Sequence, residues 1–86
     1  MNVKFQRRFI TQYKRFSQNR QKQCDERLVL FETNPFNPTL NNHALQGKYL
    51  GYRSINMTGN IRVVFRMIAT DTAYFIAVGT HAELYE

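Results

Sequence analysis

Hydrophobic residues recur at helical spacing near the start of the chain. Phe5, Phe9, Tyr13 and Phe16 are separated by four, four and three residues, and lysines and arginines occupy many positions between them. This spacing places the four aromatic side chains along one stripe of an α-helix, which we expect to pack into a core. We predict a short strand over Asn2–Phe5 before this helix.

A second helix is predicted directly after the first. Ser17 is a residue type that caps helix N-termini, and the apolar residues Cys24, Leu28 and Phe31 keep a spacing of four and three. The helix should end before Pro35, because proline disfavours helical geometry in the residue that precedes it. The two segments therefore predict an antiparallel helical hairpin with one apolar and one basic face.

In the second half of the chain the hydrophobic period becomes strand-like. Residues 34–47 are rich in Asn and Pro and predict an irregular connection, which contains His43. Strands are predicted over residues 50–57, 61–68 and 72–78, and short turns join them into an antiparallel meander.

The second of these strands alternates between apolar and other side chains. The alternation predicts a core-facing set: Ile61, Val63, Phe65 and Met67. Arg62, Val64 and Arg66 would then face the other way and display two cations. With the N-terminal strand and the helical hairpin packed on the apolar face of the meander, the whole chain, residues 1–86, is predicted to be one two-layer α+β domain.

Charge and cysteine content indicate the kind of binding partner and the cellular compartment. Twelve Lys and Arg oppose six Asp and Glu, which gives a net charge of +6, and eight of the twelve cations are arginines. Arginine binds phosphate through its planar fork, so we expect a polyanionic partner, most simply nucleic acid. The single cysteine, Cys24, excludes an intramolecular disulfide and is expected to be buried. Without a secretory signal pattern or a long apolar stretch, the sequence predicts a cytoplasmic protein that has no membrane partner.

Candidate chemistry follows the last predicted strand. Thr80 and Glu83 have the spacing of a capping box, so the tail is expected to form a helical turn. His81 and Tyr85 lie four residues apart and would share one face of that turn, while Arg62 projects from the neighbouring strand.

These three side-chain types suit cleavage of RNA by attack of the ribose 2′-hydroxyl on the adjacent phosphorus. Imidazole exchanges protons near neutral pH, guanidinium stabilises the charge of the transition state, and a phenol ring stacks on an unpaired base. Cys24, His43 and His81 have no zinc-type spacing, and the sequence lacks a glycine-rich phosphate loop. We therefore expect no metal and no small-molecule cofactor.

Four segments of the chain resemble the RelE/ParE superfamily of bacterial toxins, and its YafQ-like branch most closely. They have the sequences NHALQGK (residues 42–48), GYRSI (51–55), RVVF (62–65) and GTHAELY (79–85). The resemblance covers nearly the whole chain and implies a RelE-like fold. It also implies a type II toxin that cleaves mRNA in the ribosomal A site, with the ribosome, mRNA and a cognate antitoxin as partners.

The resemblance also assigns roles to individual residues. His81 matches the histidine that YafQ-like toxins use in proton transfer, Tyr85 matches their terminal aromatic residue, and His43 falls at another active-site histidine. Arg62 corresponds to the strand arginine that contacts the scissile phosphate. Three further cations are expected to contact RNA: Lys48, Arg53 and Arg66.

Two positions depart from the YafQ-like pattern. Where that branch has a histidine in the first meander strand and an aspartate before the second, this chain has Asn56 and Asn60. Asparagine does not exchange protons near neutral pH, so the usual acid and base pair is incomplete. Two alternatives therefore stay open, namely a catalytically weakened relative that keeps antitoxin binding, and a ParE-like inhibitor of DNA gyrase that binds without cleaving RNA.

Overall fold

The protein is described by a computed structural model that covers residues 1–85, so Glu86, the last residue of the predicted tail, lies outside the description. The described chain contains five β-strands: β1 (Asn2–Phe5), β2 (His43–Ala44), β3 (Arg53–Thr58), β4 (Ile61–Ala69) and β5 (Thr72–Thr80). It also contains three α-helices: α1 (Arg7–Lys14), α2 (Gln18–Thr33) and α3 (His81–Tyr85).

The five strands form one mixed sheet in the order β1-β5-β4-β3-β2. The predicted meander is its centre, because β3, β4 and β5 pair antiparallel through short turns. The N-terminal strand has the predicted bounds and joins the sheet itself, where it pairs parallel with β5 from Asn2 opposite Thr72. The predicted α+β class, with helices on an antiparallel meander, is confirmed.

The helical hairpin is shorter at its start than the aromatic spacing predicts. Phe5 belongs to β1 and Phe16 follows the end of α1, so only Phe9 and Tyr13 of the stripe are helical. The rings nevertheless remain in series, with centroids 5.0 Å, 6.3 Å and 6.4 Å apart along the stripe. Ser17 caps α2 as expected, since its hydroxyl accepts a hydrogen bond from the backbone N–H of Arg20. No helix within residues 1–85 is long and apolar enough to cross a membrane.

The main core lies between the helices and one face of the sheet. Phe31 of α2 meets Phe65 of β4 and Phe75 of β5 with ring centroids 5.2 Å away in both cases. Cys24 is fully buried beside them, as predicted. Burying each such aromatic side chain contributes about 1.5–3 kcal/mol, so this layer supplies much of the stability that holds the sheet.

The opposite face of the sheet carries a second apolar cluster, which the sequence analysis missed. Val64, expected among exposed cations, is buried there in a cluster with Leu45, Tyr49, Ala77 and Leu84. Val64 lies on the predicted face, but α3 folds back over this face and covers it with Leu84.

Two further predictions need correction. Met67 was expected in the core but is 39% exposed, because it lies where the β4–β5 pairing becomes irregular. The first meander strand begins at Arg53 rather than at residue 50, since Gly47–Tyr49 forms a 3-10 helix and Gly51 adopts a left-handed conformation with φ of 91°. These turns place Tyr49 in the second apolar cluster.

Candidate active site

The C-terminal tail is fixed to the end of β5 by the predicted capping box. The backbone N–H of Thr80 donates to Oε1 of Glu83 over 2.8 Å, and the N–H of Glu83 donates to the hydroxyl of Thr80 over 3.2 Å. The first of these bonds is the main reason that the pKa of the Glu83 carboxyl lies below its ordinary value. The capping box starts α3 at His81, immediately after the sheet ends.

His81 and Tyr85 form a stacked pair on α3. Their ring centroids are 4.5 Å apart with an angle of 30° between the planes, as expected for residues one helical turn apart. His81 is exposed, whereas Tyr85 is partly buried. Burial is the largest cause of the raised pKa of Tyr85, the nearby Tyr49 raises it further, and the charge of Arg62 lowers it. Arg62 therefore lies close enough to Tyr85 to act electrostatically on its phenol.

Two residues of the 3-10 segment hold α3 against the sheet. The hydroxyl of Tyr49 donates to the carbonyl of Leu84 over 2.9 Å, and Nζ of Lys48 donates to the same carbonyl over 3.3 Å. The Tyr49 ring also meets the Tyr85 ring edge-on at 5.3 Å. The structure thus gives the Lys48 ammonium a partner at the C-terminal end of α3, where a cation interacts favourably with the helix dipole.

Sequence reasoning did not find Tyr49 at all. A tyrosine in an irregular connection gives no local signal of a partner 35 residues away. Only the closure of the second apolar cluster brings Tyr49 and Leu84 together.

Arg62 lies in a row that crosses three strands. It pairs with Asn56 of β3 on one side and with Gly79 of β5 on the other. Its Nη1 donates to Oδ1 of Asn56 over 2.7 Å. Gly79 adds no side chain to this row, and a Cβ there would stand 3.2 Å from the Glu83 carboxylate that caps α3.

The other predicted residues lie further from the stacked pair. His43 is the first residue of β2 and pairs with Ser54 of β3, on the sheet face that Arg62 also occupies. Its Nδ1 is 2.7 Å from the carbonyl oxygen of Asn41, and because a carbonyl only accepts, Nδ1 is the donor in this contact. His43 was predicted in a loop, and the short strand that contains it fixes its position.

Arg53 and Arg66 do not join the group around His81. Arg53 lies opposite the core residue Phe65, donates to Asn42 over 2.8 Å, and places its guanidinium 5.5 Å from the centre of the Phe36 ring. These contacts assign it to the support of the loop before β2.

Arg66 is exposed four residues along β4 from Arg62, about 13 Å at strand spacing. It stands over the Tyr74 ring at 5.6 Å. Asn60 is exposed in the turn between β3 and β4. Within residues 1–85, no three His, Cys, Asp or Glu side chains are grouped so that they could hold a metal ion.

An exposed imidazole, a stacked phenol ring and a guanidinium therefore meet at one end of the sheet. The first exchanges protons, the second offers an aromatic face, and the third binds and stabilises phosphate charge. This combination suits a single-stranded nucleic acid in which a base and its phosphate are both reachable.

Comparison with known protein families shows to which family the chain belongs. The family model described as the bacterial toxin YafQ of type II toxin–antitoxin systems matches residues 1–86. The chain belongs to the YafQ toxin family. It is thus a toxin of a type II toxin–antitoxin system, and the predicted resemblance is confirmed. No curated protein is significantly similar to the chain in sequence.

Solved structures place this YafQ-family protein among RelE-like folds. It is similar to E. coli YafQ at 20% identity and a TM-score of 0.76, over 99% of this chain and 98% of that one. The YoeB/ParE toxin of Agrobacterium tumefaciens has 19% identity and a TM-score of 0.76, over 94% and 99%. The E. coli DinJ–YafQ complex gives 21% identity and a TM-score of 0.70, over 99% and 98%. At these identities the similarity establishes the fold.

Proposed function

We propose that this YafQ-family toxin is a ribosome-dependent endoribonuclease that cleaves mRNA in the A site without a metal ion. The observation that carries the proposal is the stacked pair of His81 and Tyr85, fixed beside Arg62 by the capping box and by Tyr49. A protein that only binds another protein needs no exposed imidazole next to a guanidinium. The ribosome as a partner implies a cytoplasmic site of action.

The reaction breaks one bond and forms one at the same phosphorus. The ribose 2′-oxygen attacks, its proton passes to a base, the bond from phosphorus to the 5′-oxygen breaks, and that oxygen receives a proton. We assign proton transfer to His81, which is exposed, and to His43, whose Nδ1 donates to the Asn41 carbonyl so that Nε2 is the ring nitrogen left for the substrate. Both groups need further placement of the RNA by the ribosome to reach the same nucleotide.

Arg62 and Tyr85 act on charge and position rather than on protons. Arg62 is half-buried, which strengthens its attraction to the negative charge that grows on the phosphate in the transition state. The partly buried Tyr85 keeps its proton because its pKa is raised, so its neutral ring is available to stack on a base. Such stacking contributes about 1–3 kcal/mol per base.

Purified toxin and ribosomes programmed with a defined message test the proposal. We expect cuts at the A-site codon by the wild type, and a loss of at least about 10²-fold for Arg62→Ala, as when a transition-state donor is removed. His81→Ala should be similarly impaired. Lys22→Ala removes an exposed cation of α2 on the opposite side of the molecule and should cleave at the wild-type rate. Wild-type toxin that leaves the message intact under these conditions would disprove the nuclease assignment.

The Asn56 contact supports one other function, that of a weakened relative. Asn56 stands where an acid or base would act, and here it is a hydrogen-bond acceptor for Arg62. Normal growth after induction without antitoxin would favour this reading. Broken DNA with intact mRNA would instead point to a gyrase inhibitor.

We also propose a cognate antitoxin as the protein partner. The E. coli YafQ to which this chain is similar has been solved as a complex with DinJ. The net charge of +6 suits an antitoxin with an acidic segment, since opposite charge speeds encounter. Co-expression with the small open reading frame next to the toxin gene should yield a co-purifying complex and restore growth, and failure of both results would contradict this partner.

A further inference from the structure

We infer that Asn56 is a positioning residue that holds Arg62 and, together with it, forms a two-donor seat for one phosphate group. The inference rests on the proposed function, because the phosphate would belong to the bound RNA. It assigns a role to the residue that makes this chain differ from the YafQ-like pattern. The seat consists of the guanidinium of Arg62 and the amide nitrogen of Asn56.

The hydrogen bonds of Arg62 show how strongly it depends on Asn56. Within residues 1–85, the 2.7 Å bond from Nη1 to Oδ1 of Asn56 is the one hydrogen bond of the Arg62 side chain. Its Nε is covered and has no hydrogen-bond partner in the same part of the chain. Asn56 is therefore the contact that selects one orientation of the guanidinium over others.

The backbone pairing of β3 and β4 places Asn56 and Arg62 next to each other. Asn56 and Arg62 are directly opposed residues of β3 and β4, so their side chains leave the sheet on the same face a few ångströms apart. On the far side of Arg62 the row continues with Gly79, which carries no side chain, and the Glu83 side chain of α3 lies next to it.

The chemistry of the amide makes Asn56 more than a support. A carboxylate at this position would hold Arg62 more tightly but would cancel the positive charge that attracts phosphate. The neutral Oδ1 orients the guanidinium and leaves its charge available. Because Oδ1 is the branch that accepts from Arg62, the two N–H groups on Nδ2 remain as donors for a second phosphate oxygen.

Two substitutions at Asn56 separate positioning from mere packing in the ribosome cleavage assay. Asn56→Ala removes the support of Arg62 and the Nδ2 donors together, so it should lower kcat about 10²-fold with KM within about twofold. Asn56→Asp has the same size and keeps an acceptor for Arg62, yet it should lower kcat more than Asn56→Ala because it cancels charge and removes both donors. Asn19→Ala removes an exposed amide from α2, on the other side of the sheet, and serves as the control that should match wild type.

A binding measurement tests the seat without any cleavage. Sulfate is titrated into the isotope-labelled protein while the side-chain N–H signals of Asn56 and Arg62 are followed by NMR. We expect both signals to shift and saturate together in the wild type, with affinity at Arg62 about fivefold weaker in Asn56→Ala and no saturation in Asn56→Asp. Thermal unfolding of each variant identifies any loss of fold, and the isosteric Asn56→Asp keeps the test valid if Asn56→Ala is unstable.

The two assays distinguish failure of the seat from failure of the nuclease proposal. Coupled sulfate shifts in a protein that does not cleave mRNA would refute the nuclease function and leave the seat standing. Cleavage by Asn56→Asp at the wild-type rate, or equal sulfate affinity of Arg62 with and without the Asn56 amide, would overturn the inference. A kcat loss for Asn56→Asp together with the coupled shifts would support it.

Discussion

Removal of one oxygen atom from Tyr49 should loosen the candidate site at a distance. In Tyr49→Phe the 2.9 Å hydrogen bond to the Leu84 carbonyl is lost, while the ring keeps its volume and its edge-on contact with Tyr85. Tyr49 is only 5% exposed, so water cannot readily replace the lost donor. Lys48, whose Nζ is 3.3 Å from the same carbonyl, remains as a partial substitute.

The size of the effect follows from these contacts. A buried hydrogen bond contributes about 0.5–1.5 kcal/mol net, and the remaining Lys48 bond keeps the cost near ~1 kcal/mol. For a domain of this size that value lowers Tm by about 4–8 °C. It also raises the population of forms in which α3 has left the sheet about fivefold if those forms are unaffected by the change. Because His81 and Tyr85 are both on α3, the cleavage rate should fall only in proportion to the docked fraction, so Tm is the more sensitive measurement.

Thermal unfolding of Tyr49→Phe and Tyr52→Phe in parallel checks this reasoning. The Tyr52 ring meets the Tyr49 ring at 6.0 Å, but its hydroxyl makes no hydrogen bond within residues 1–85, so the same chemical change should cost less than about 0.5 kcal/mol there. An equal decrease in Tm for the two variants, or none for Tyr49→Phe, would refute a specific role for the Tyr49 hydroxyl.

Three further predictions concern single titrating groups. The hydroxyl of Tyr13 donates to Asp25, which raises the pKa of Tyr13 to about 12, so this contact stabilises the fold fully below the ordinary tyrosine range and is lost as pH rises through about 12. Absorbance titration should show a tyrosine near pH 12 in the wild type that Asp25→Asn shifts to lower pH, while the raised pKa of Tyr85 stays unchanged, and an unchanged titration curve in Asp25→Asn would contradict the contact. The hydrogen bonds from Thr80 lower the pKa of Glu83. The difference in free energy of unfolding between wild type and Glu83→Ala should therefore be largest above the ordinary glutamate range and shrink as pH falls through the lowered pKa. A difference that grows in acid would argue against the capping contact. Burial raises the pKa of Cys24 to about 11, so a thiol reagent at about pH 8 should react slowly with the folded protein and fast in denaturant, and equal rates would show that the thiol is accessible.

Local patterns in the sequence were sufficient for the elements that local chemistry dictates. The bounds of β1, the Ser17 cap and the Thr80–Glu83 capping box all depend on residues within a few positions of one another. The start of β3 was wrong because a 3-10 turn and a left-handed glycine consume residues whose apolar character resembles a strand. Strand alternation correctly placed Val64 on the opposite face from Val63 and Phe65, but it could not show that α3 and Tyr49 cover that face.

The candidate site divides in the same way. The relation of His81 to Tyr85 is a matter of helical spacing and could be predicted. The hydrogen bond from Tyr49 to Leu84 and the one from Arg62 to Asn56 could not be predicted, because each joins segments that become neighbours only in the folded sheet. Lys48 and Arg53 were predicted as RNA contacts from the resemblance, and neither the resemblance nor their charge reveals that each cation already has a partner in the fold.

The parallel pairing of β1 with β5 also sets a time at which the protein can become a toxin. Asn2 must wait for Thr72, which is made 70 residues later, roughly 4–14 s at ~5–20 residues per second. Until then β1 has no partner in the sheet, and neither β5 nor the helix that bears His81 exists. A polypeptide released early from a broken message would therefore lack both the partner of β1 and the candidate site, and only completed translation of β5 and α3 gives the folded sheet with His81 in place.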